Sequence, residues 1–223
     1  MGRLMRGLAA FGLAATLASC GGGGDSPLTR LATVIPGLGD MGGRNVADAG
    51  ATRPGFSAAE VAANPGDYRL IWLPSFIGTP GLARNVQDNG ARETFESQYG
   101  FTASFDSGVL VATRGLPDDL IGSSSTATLA ALRAGGGAFV RYQDTLDGLD
   151  QIVQSAFNCT VTSNGPDSIE LGARQVTARK FTEACQSPRL VFENLYWIDA
   201  SGQIIASRQF VSQTVAYLRF SRR

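Results

Sequence analysis

The residues able to do covalent or acid–base chemistry in this 223-residue chain are three cysteines and 19 carboxylates, with no histidine among them. Cys20 closes the run Leu17-Ala18-Ser19-Cys20 and opens into Gly21-Gly22-Gly23-Gly24, the arrangement of a bacterial lipobox. Arg3 and Arg6 supply a positive leader, and Gly7 to Leu17 is uncharged and apolar, followed by small residues. That run is shorter than the ~20 apolar residues needed to span a bilayer, and the glycines would break a continuing helix. A leader cut before Cys20, with lipid on its thiol, is the expectation. Each buried methylene adds about 0.8 kcal/mol, so a multiply acylated cysteine is a stable anchor. Gly21 follows Cys20 where a sorting aspartate would stand, which by resemblance to the lipoprotein sorting pattern points to the periplasmic face of the outer membrane.

With Cys20 lipidated, Cys159 and Cys185 remain as an even pair. An oxidising periplasm favours a disulfide between them over two free thiols. Two sulfurs without histidine make a poor metal site, and no metal or other cofactor is expected. The missing histidine also removes the Ser/His and Cys/His nucleophile pairs. A carboxylate pair for glycoside cleavage is the remaining enzymatic route, with Asp144, Asp147 and Asp150 at every third position and Glu170, Glu183 and Glu193 on expected strands. Aspartates so spaced usually mark a turn-rich exposed edge, and the expectation is a protein without enzymatic activity. Lys+Arg equals Asp+Glu at 19 each, so no basic surplus calls for nucleic acid. The hexamer Gly37-Leu38-Gly39-Asp40-Met41-Gly42 matches a dinucleotide fingerprint, yet it lacks the strand before and the helix within that the fingerprint requires.

The elements that must position these groups are mainly β. The roughly 200 residues beyond Cys20 suit one domain. We divide the chain into a leader (1–19), a lipidated cysteine with a flexible tether (20–30), and a single β-rich periplasmic domain (31–223). Short helices are predicted at Leu28 to Ile35, at Ser57 to Ala63 behind the capping box Ser57-Ala58-Ala59-Glu60, and at Thr126 to Ala134 behind a Ser/Thr cluster suited to capping. Tyr68 to Phe76 reads as a buried strand ending near Pro74, Gly78 to Asn89 as loop, and Glu93 to Tyr99 as helix or strand. From Phe101 onward alternating apolar residues and tight turns predict successive strands. Leu120 to Ser123 is one strand candidate, Asn164-Gly165-Pro166-Asp167 a hairpin turn, Asp199 to Gly202 another turn, and Gln203 to Phe220 one long last strand. The last strand would place Ile204, Ala206, Phe210 and Leu218 on one face and Val211, Val215 and Tyr217 on the other. The architecture expected is an antiparallel up-and-down sheet, curled into a barrel, half-barrel or sandwich, with two or three short helices and the cysteine bridge stapling neighbouring strands.

The run from Leu195 to Gln209, Leu-Tyr-Trp-Ile-Asp-Ala-Ser-Gly-Gln-Ile-Ile-Ala-Ser-Arg-Gln, resembles the C-terminal signature of the YjbF family, lipoproteins tied to group 4 capsule and other exopolysaccharide loci. The Ser57 to Ser75 segment and the Gly108 to Ser123 hairpin with Val111-Ala112-Thr113 follow in matching order. The segment from Pro36 to Gly55 and the Cys159/Cys185 pair depart from that pattern. The resemblance implies a β-rich accessory of polysaccharide export or assembly, with export or assembly proteins, or the polysaccharide itself, as partners and the membrane held through Cys20. Asp199 and Gly202 serve the signature turn. Trp72, Tyr196 and Trp197 are either core or an apolar platform for sugar rings or acyl chains, and Arg208 meets an acidic glycan, lies on a solvated face or partners Asp199 locally. The runner-up activity is a lipid or lipoprotein carrier. A carrier needs an unfilled apolar cavity inside the sheet, whereas a docking module can be solid within and present an apolar or aromatic patch outside.

Overall fold

The computed structural model describes residues 55–172 and 174–223. The expected leader, Cys20, the tether, the 28–35 helix and the glycine hexamer lie outside the described residues.

The first described element follows the predicted capping box. Ser57 Oγ accepts from the Glu60 backbone N–H at 3.2 Å and Glu60 Oε2 accepts from the Ser57 N–H at 2.8 Å, starting helix α1 (Ala58–Ala63), which stops at Asn64 before Pro65. Twelve strands follow among the described residues: β1 (Tyr68–Trp72), β2 (Gly81–Asn89), β3 (Arg92–Ser97), β4 (Thr102–Asp106), β5 (Val109–Arg114), β6 (Gly122–Ser123), β7 (Gly136–Leu146), β8 (Ile152–Leu171), β9 (Arg174–Gln186), β10 (Val191–Ile198), β11 (Ile204–Ser212) and β12 (Ala216–Ser221). Helix α2 (Thr126–Ala134) lies between β6 and β7. They form one antiparallel sheet in the order β5-β4-β3-β2-β1-β12-β11-β10-β9-β8-β7-β6, so the chain meanders outward in both directions from the pairing of β1 with β12.

The two edges of this sheet, β5 and β6, are consecutive in sequence, which draws the sheet into a nearly closed barrel. At one end of the seam the Thr113 N–H donates to Leu120 O at 2.8 Å. Farther along, Ser125 Oγ donates to Asp106 Oδ2 at 2.5 Å. That contact occupies the hydroxyl expected to cap α2, and Ser125 makes no side-chain cap bond. The far end of α2 is as predicted, with Gly135 at φ 86° in the left-handed conformation. The helix buries Thr128, Ala131 and Leu132 against Val161, Phe181 and Tyr196 inside the barrel. Around β1–β5 and β12 the interior is filled by Ile71, Phe95, Phe105, Leu110 and Leu218, with Phe220 stacked on Phe105 at 4.1 Å.

The structure corrects several expected boundaries. The segment expected as loop, 78–89, contains β2, whose second half is exposed and, Val86 apart, polar, so it shows no apolar alternation. Of residues 93–99, 93–97 are strand within β3 and 98–99 are turn; β1 ends at Trp72, and the strand expected over 120–123 covers Gly122–Ser123. Asn164 to Asp167 is no hairpin turn: β8 runs through it, the register shifts between Ser163 and Gly165, and Gly165 at φ 83° absorbs the bulge. The chain reverses instead near Gly172. The expected last strand is two, broken between Ser212 and Ala216, with Ala216 at φ 62°, so the face assignment made for a single strand does not hold across the break.

Cys159 and Cys185 sit directly opposite each other on β8 and β9 and are joined, both buried. For a sequence separation of 26 residues the chain-entropy model gives about 3–4 kcal/mol of stabilisation. Denaturant unfolding of Cys159→Ala/Cys185→Ala is expected to show that loss; equal stability of the variant and the oxidised wild type would contradict the staple.

Candidate functional site

Tyr196 and Trp197 are adjacent on β10, so strand geometry sends one inward and the other outward. The inward residue joins a buried polar network. Glu183 Oε2 accepts from Arg141 Nη1 at 2.8 Å, from Asn194 Nδ2 at 2.7 Å and from the Tyr196 hydroxyl at 2.8 Å, while Oε1 accepts from Thr128 Oγ1 at 2.9 Å. Glu183 and Arg141 are 0% and 1% exposed, so neither charge has water to lean on. Burial alone would raise the Glu183 carboxyl, but the Arg141 guanidinium and the three neutral donors hold it below the usual carboxylate range. Burial opposes the Arg141 charge, and Glu183 more than restores it. Burial, then the Glu183 charge, pushes the Tyr196 phenol well up.

The same network ties down the seam strand. Leu110 on β5 donates its N–H to Gln209 Oε1 at 2.7 Å and accepts from Arg141 Nη2 at 3.2 Å, and Gln209 Nε2 donates to Gly108 O at 2.9 Å. Edge-strand amides that no neighbouring strand pairs are thus satisfied by buried side chains. Gly108 has φ 89°, and a Cβ there would come within 2.7 Å of Ile204, so the turn and its contact both require glycine. A fully buried carboxylate held ionised by four donors, three on Oε2 and one on Oε1, is a structural anchor. Its oxygen also lies within 4.8 Å of both cysteine sulfurs, but these are bonded to each other and offer no thiolate to a metal. Asp147 accepts from the Leu149 and Gln151 backbone in a turn, and Asp144 accepts from Gln154.

The outward residue lines a groove of about 680 Å³ across β1, β12, β11 and β10. Strand register lays its floor in two rows. One runs Leu70, Ser221, Ala206, Trp197, and the next runs Trp72, Arg219, Arg208, Leu195. The far half of the β8–β9 hairpin bends over to form a wall, with Ile169 and Glu170 in the groove and Leu171 and Ala178 buried against Ile205. The Asn164 bulge on β8 and a second bulge at Ile205 accompany that bend. Each tryptophan is fixed by its ring N–H, Trp72 to Ile77 O at 2.9 Å and Trp197 to Asp167 Oδ2 at 2.9 Å. Arg219 lies over Trp72 at 5.1 Å and Lys180 over Trp197 at 5.4 Å.

Of the residues singled out in the sequence, Trp72, Trp197 and Arg208 therefore share one surface, while Tyr196 is fully buried and belongs to the core. Asp199 and Gly202 make the predicted turn: Asp199 Oδ1 accepts from Ser201 and Gln203 N–H groups, and Gly202 has φ 82°. Arg141 and Glu183 were not anticipated as partners. The signal was present as charged residues at inward positions of otherwise apolar alternation, Phe139-Arg141 on β7 and Phe181-Glu183-Cys185 on β9.

Breaking a buried pair by removing one partner costs about 3–5 kcal/mol. Glu183→Gln is expected to unfold earlier by that order at neutral pH. Because the folded carboxyl lies below its unfolded value of about 4.3, its stabilisation is complete above that pH and is lost as pH falls through the folded value. The acid limb of a stability profile should accordingly flatten in Glu183→Gln; an unchanged limb would show that another group governs it.

A model of the group 4 capsule polysaccharide lipoprotein family, gfcB and YjbF, matches residues 49–222. No curated protein matches the chain significantly. Among solved structures, the hypothetical lipoprotein YmcC from Escherichia coli K12 is similar, with a TM-score of 0.59 and 18% identity over 69% of this chain and 81% of that one, a likeness of fold. The family match takes in the whole barrel, the seam network and the groove, and the chain belongs to the YjbF family of group 4 capsule polysaccharide lipoproteins.

Proposed function

We propose that this protein is a non-enzymatic accessory of capsule or exopolysaccharide export or assembly, held at the periplasmic face of the outer membrane by lipid on Cys20, which docks to export proteins or to the glycan through its outer groove. The observation that carries this reading is the groove itself. It has a ligand-sized volume, about 680 Å³, and an apolar and aromatic lining that a water-facing sheet surface does not need. The family match supplies the polysaccharide context. The lipobox of Leu17 to Cys20 supports the anchor.

The interior disfavours the carrier alternative. A carrier of the barrel type keeps a hollow apolar centre, and here Arg141, Glu183, Tyr196 and Gln209 fill the middle while aromatic side chains fill the two ends. Catalysis is disfavoured by the same arrangement, since the most deeply buried carboxylate is held by four donors inside the core.

In a strain lacking the gene, add-back of wild type is expected to restore surface and secreted polysaccharide, and add-back of Cys20→Ala is expected to fail. Unchanged polysaccharide in the deletion, with lipids or outer-membrane lipoproteins mislocalised instead, would replace the accessory reading with the carrier.

A further inference from the structure

Register places Arg208 on β11 directly opposite Arg219 on β12, side by side on the groove floor. Opposed residues on neighbouring antiparallel strands have Cβ atoms about 4.5–5.5 Å apart, where like charges destabilise the sheet. By contrast, Arg84 on β2 faces Glu96 on β3 with a nitrogen–oxygen distance of 3.8 Å, although Asp88 faces Glu93 farther along the same pair of strands. Neither Arg208 nor Arg219 has a carboxylate within salt-bridge distance among the described residues. Each is instead held over an aromatic ring, Arg208 at 4.4 Å from Tyr217 and Arg219 at 5.1 Å from Trp72. Arg208 donates one Nη2 bond to Glu193 O at 3.2 Å, but its Nε–H is buried without a hydrogen-bond partner among the described residues. A buried orphan donor is costly, and two guanidinium side chains set on opposed positions of one groove floor favour an anion between them.

We propose that the groove is a subsite for an acidic saccharide, with a sugar carboxylate bridging Arg208 and Arg219 and the sugar ring lying along the apolar floor between Trp72 and Trp197. The proposal rests on the groove being the docking surface and assigns its occupant. A guanidinium presents a planar fork that fits a carboxylate. Flanking apolar and aromatic surface suits the C–H face of a sugar ring, and Glu170 on the wall offers acceptor oxygens for hydroxyl groups. A neutral glycan would leave the two cations uncompensated, so the site discriminates by charge.

The chain contains two tryptophans, Trp72 and Trp197, and both line the groove, so intrinsic fluorescence reports on this site. The test is titration of the full chain in detergent with oligogalacturonate and, separately, with its methyl ester, which keeps the sugars and removes the charge. The acid is expected to give a saturable fluorescence change that weakens as salt is raised. The ester, and the acid with Arg219→Gln, should each bind about tenfold or more weakly. Arg219 is exposed, and Arg219→Gln without ligand should unfold at the same or a higher temperature, because it relieves repulsion. Absence of a saturable signal with the acid, equal binding of acid and ester, or wild-type binding by Arg219→Gln would each overturn the acidic-saccharide subsite. If any of these occurs while polysaccharide still depends on the gene and its Cys20, the accessory reading stands and the groove belongs to a protein partner.

Discussion

The buried ion pair of Arg141 and Glu183 is the constraint around which this barrel is built. Two charges at 0–1% exposure are tolerable only when every donor and acceptor is satisfied, and here that requirement recruits residues from many elements. Thr128 comes from α2, Asn194 and Tyr196 from β10, and Gln209 from β11, while Leu110 and Gly108 come from the seam strand and its turn. The seam has few strand-to-strand bonds of its own, so the network substitutes for the missing ladder. Removing one member therefore unsettles closure as well as the core.

This solid interior decides where function can reside. Side chains occupy the space a ligand would need inside, and the alternation of β10 carries the organisation outward: Tyr196 is fixed by Glu183 on one face, and Trp197 stands on the other. The groove floor spans four neighbouring strands whose inner faces are locked by the network and by the aromatic cluster of Phe95, Phe105 and Phe220. Its polar ring atoms are already bonded and its wall is packed through Leu171 and Ile205, so the surface is held in one geometry, which is what the proposed docking needs.

Local chemistry made much of the fold legible in the sequence. The capping box at Ser57, the glycine after α2, the Asp199 turn and the cysteine pair each rest on residues close in sequence or of distinctive type, and each is found in the structure. Misreadings arose where a long-range contact overrode a local signal. Asn164-Gly165-Pro166 carries the residues of a turn, yet pairing with β9 on both sides turns it into a bulge. Ser125 has a capping side chain, but Asp106 across the seam claims it. Polar β2 lacks alternation because half of it has no core to face. Residue type singles out Trp72, Trp197 and Arg208 as candidates, but only register reveals that β1, β12, β11 and β10 bring them into one groove and set Arg219 beside Arg208. Core and platform both stay open for Tyr196 in the sequence because strand parity alone does not say which face is inside, and the structure places it in the core.

The central claim is that the protein works through its outer groove and that the barrel exists to hold that groove rigid. The most direct measurement is surface polysaccharide in a deletion strain supplied with Trp72→Ala/Trp197→Ala, alongside the level and cooperative unfolding of the variant. The account predicts a folded protein at wild-type abundance that fails to restore polysaccharide. Full restoration by that variant would contradict it and move the working surface elsewhere on the barrel.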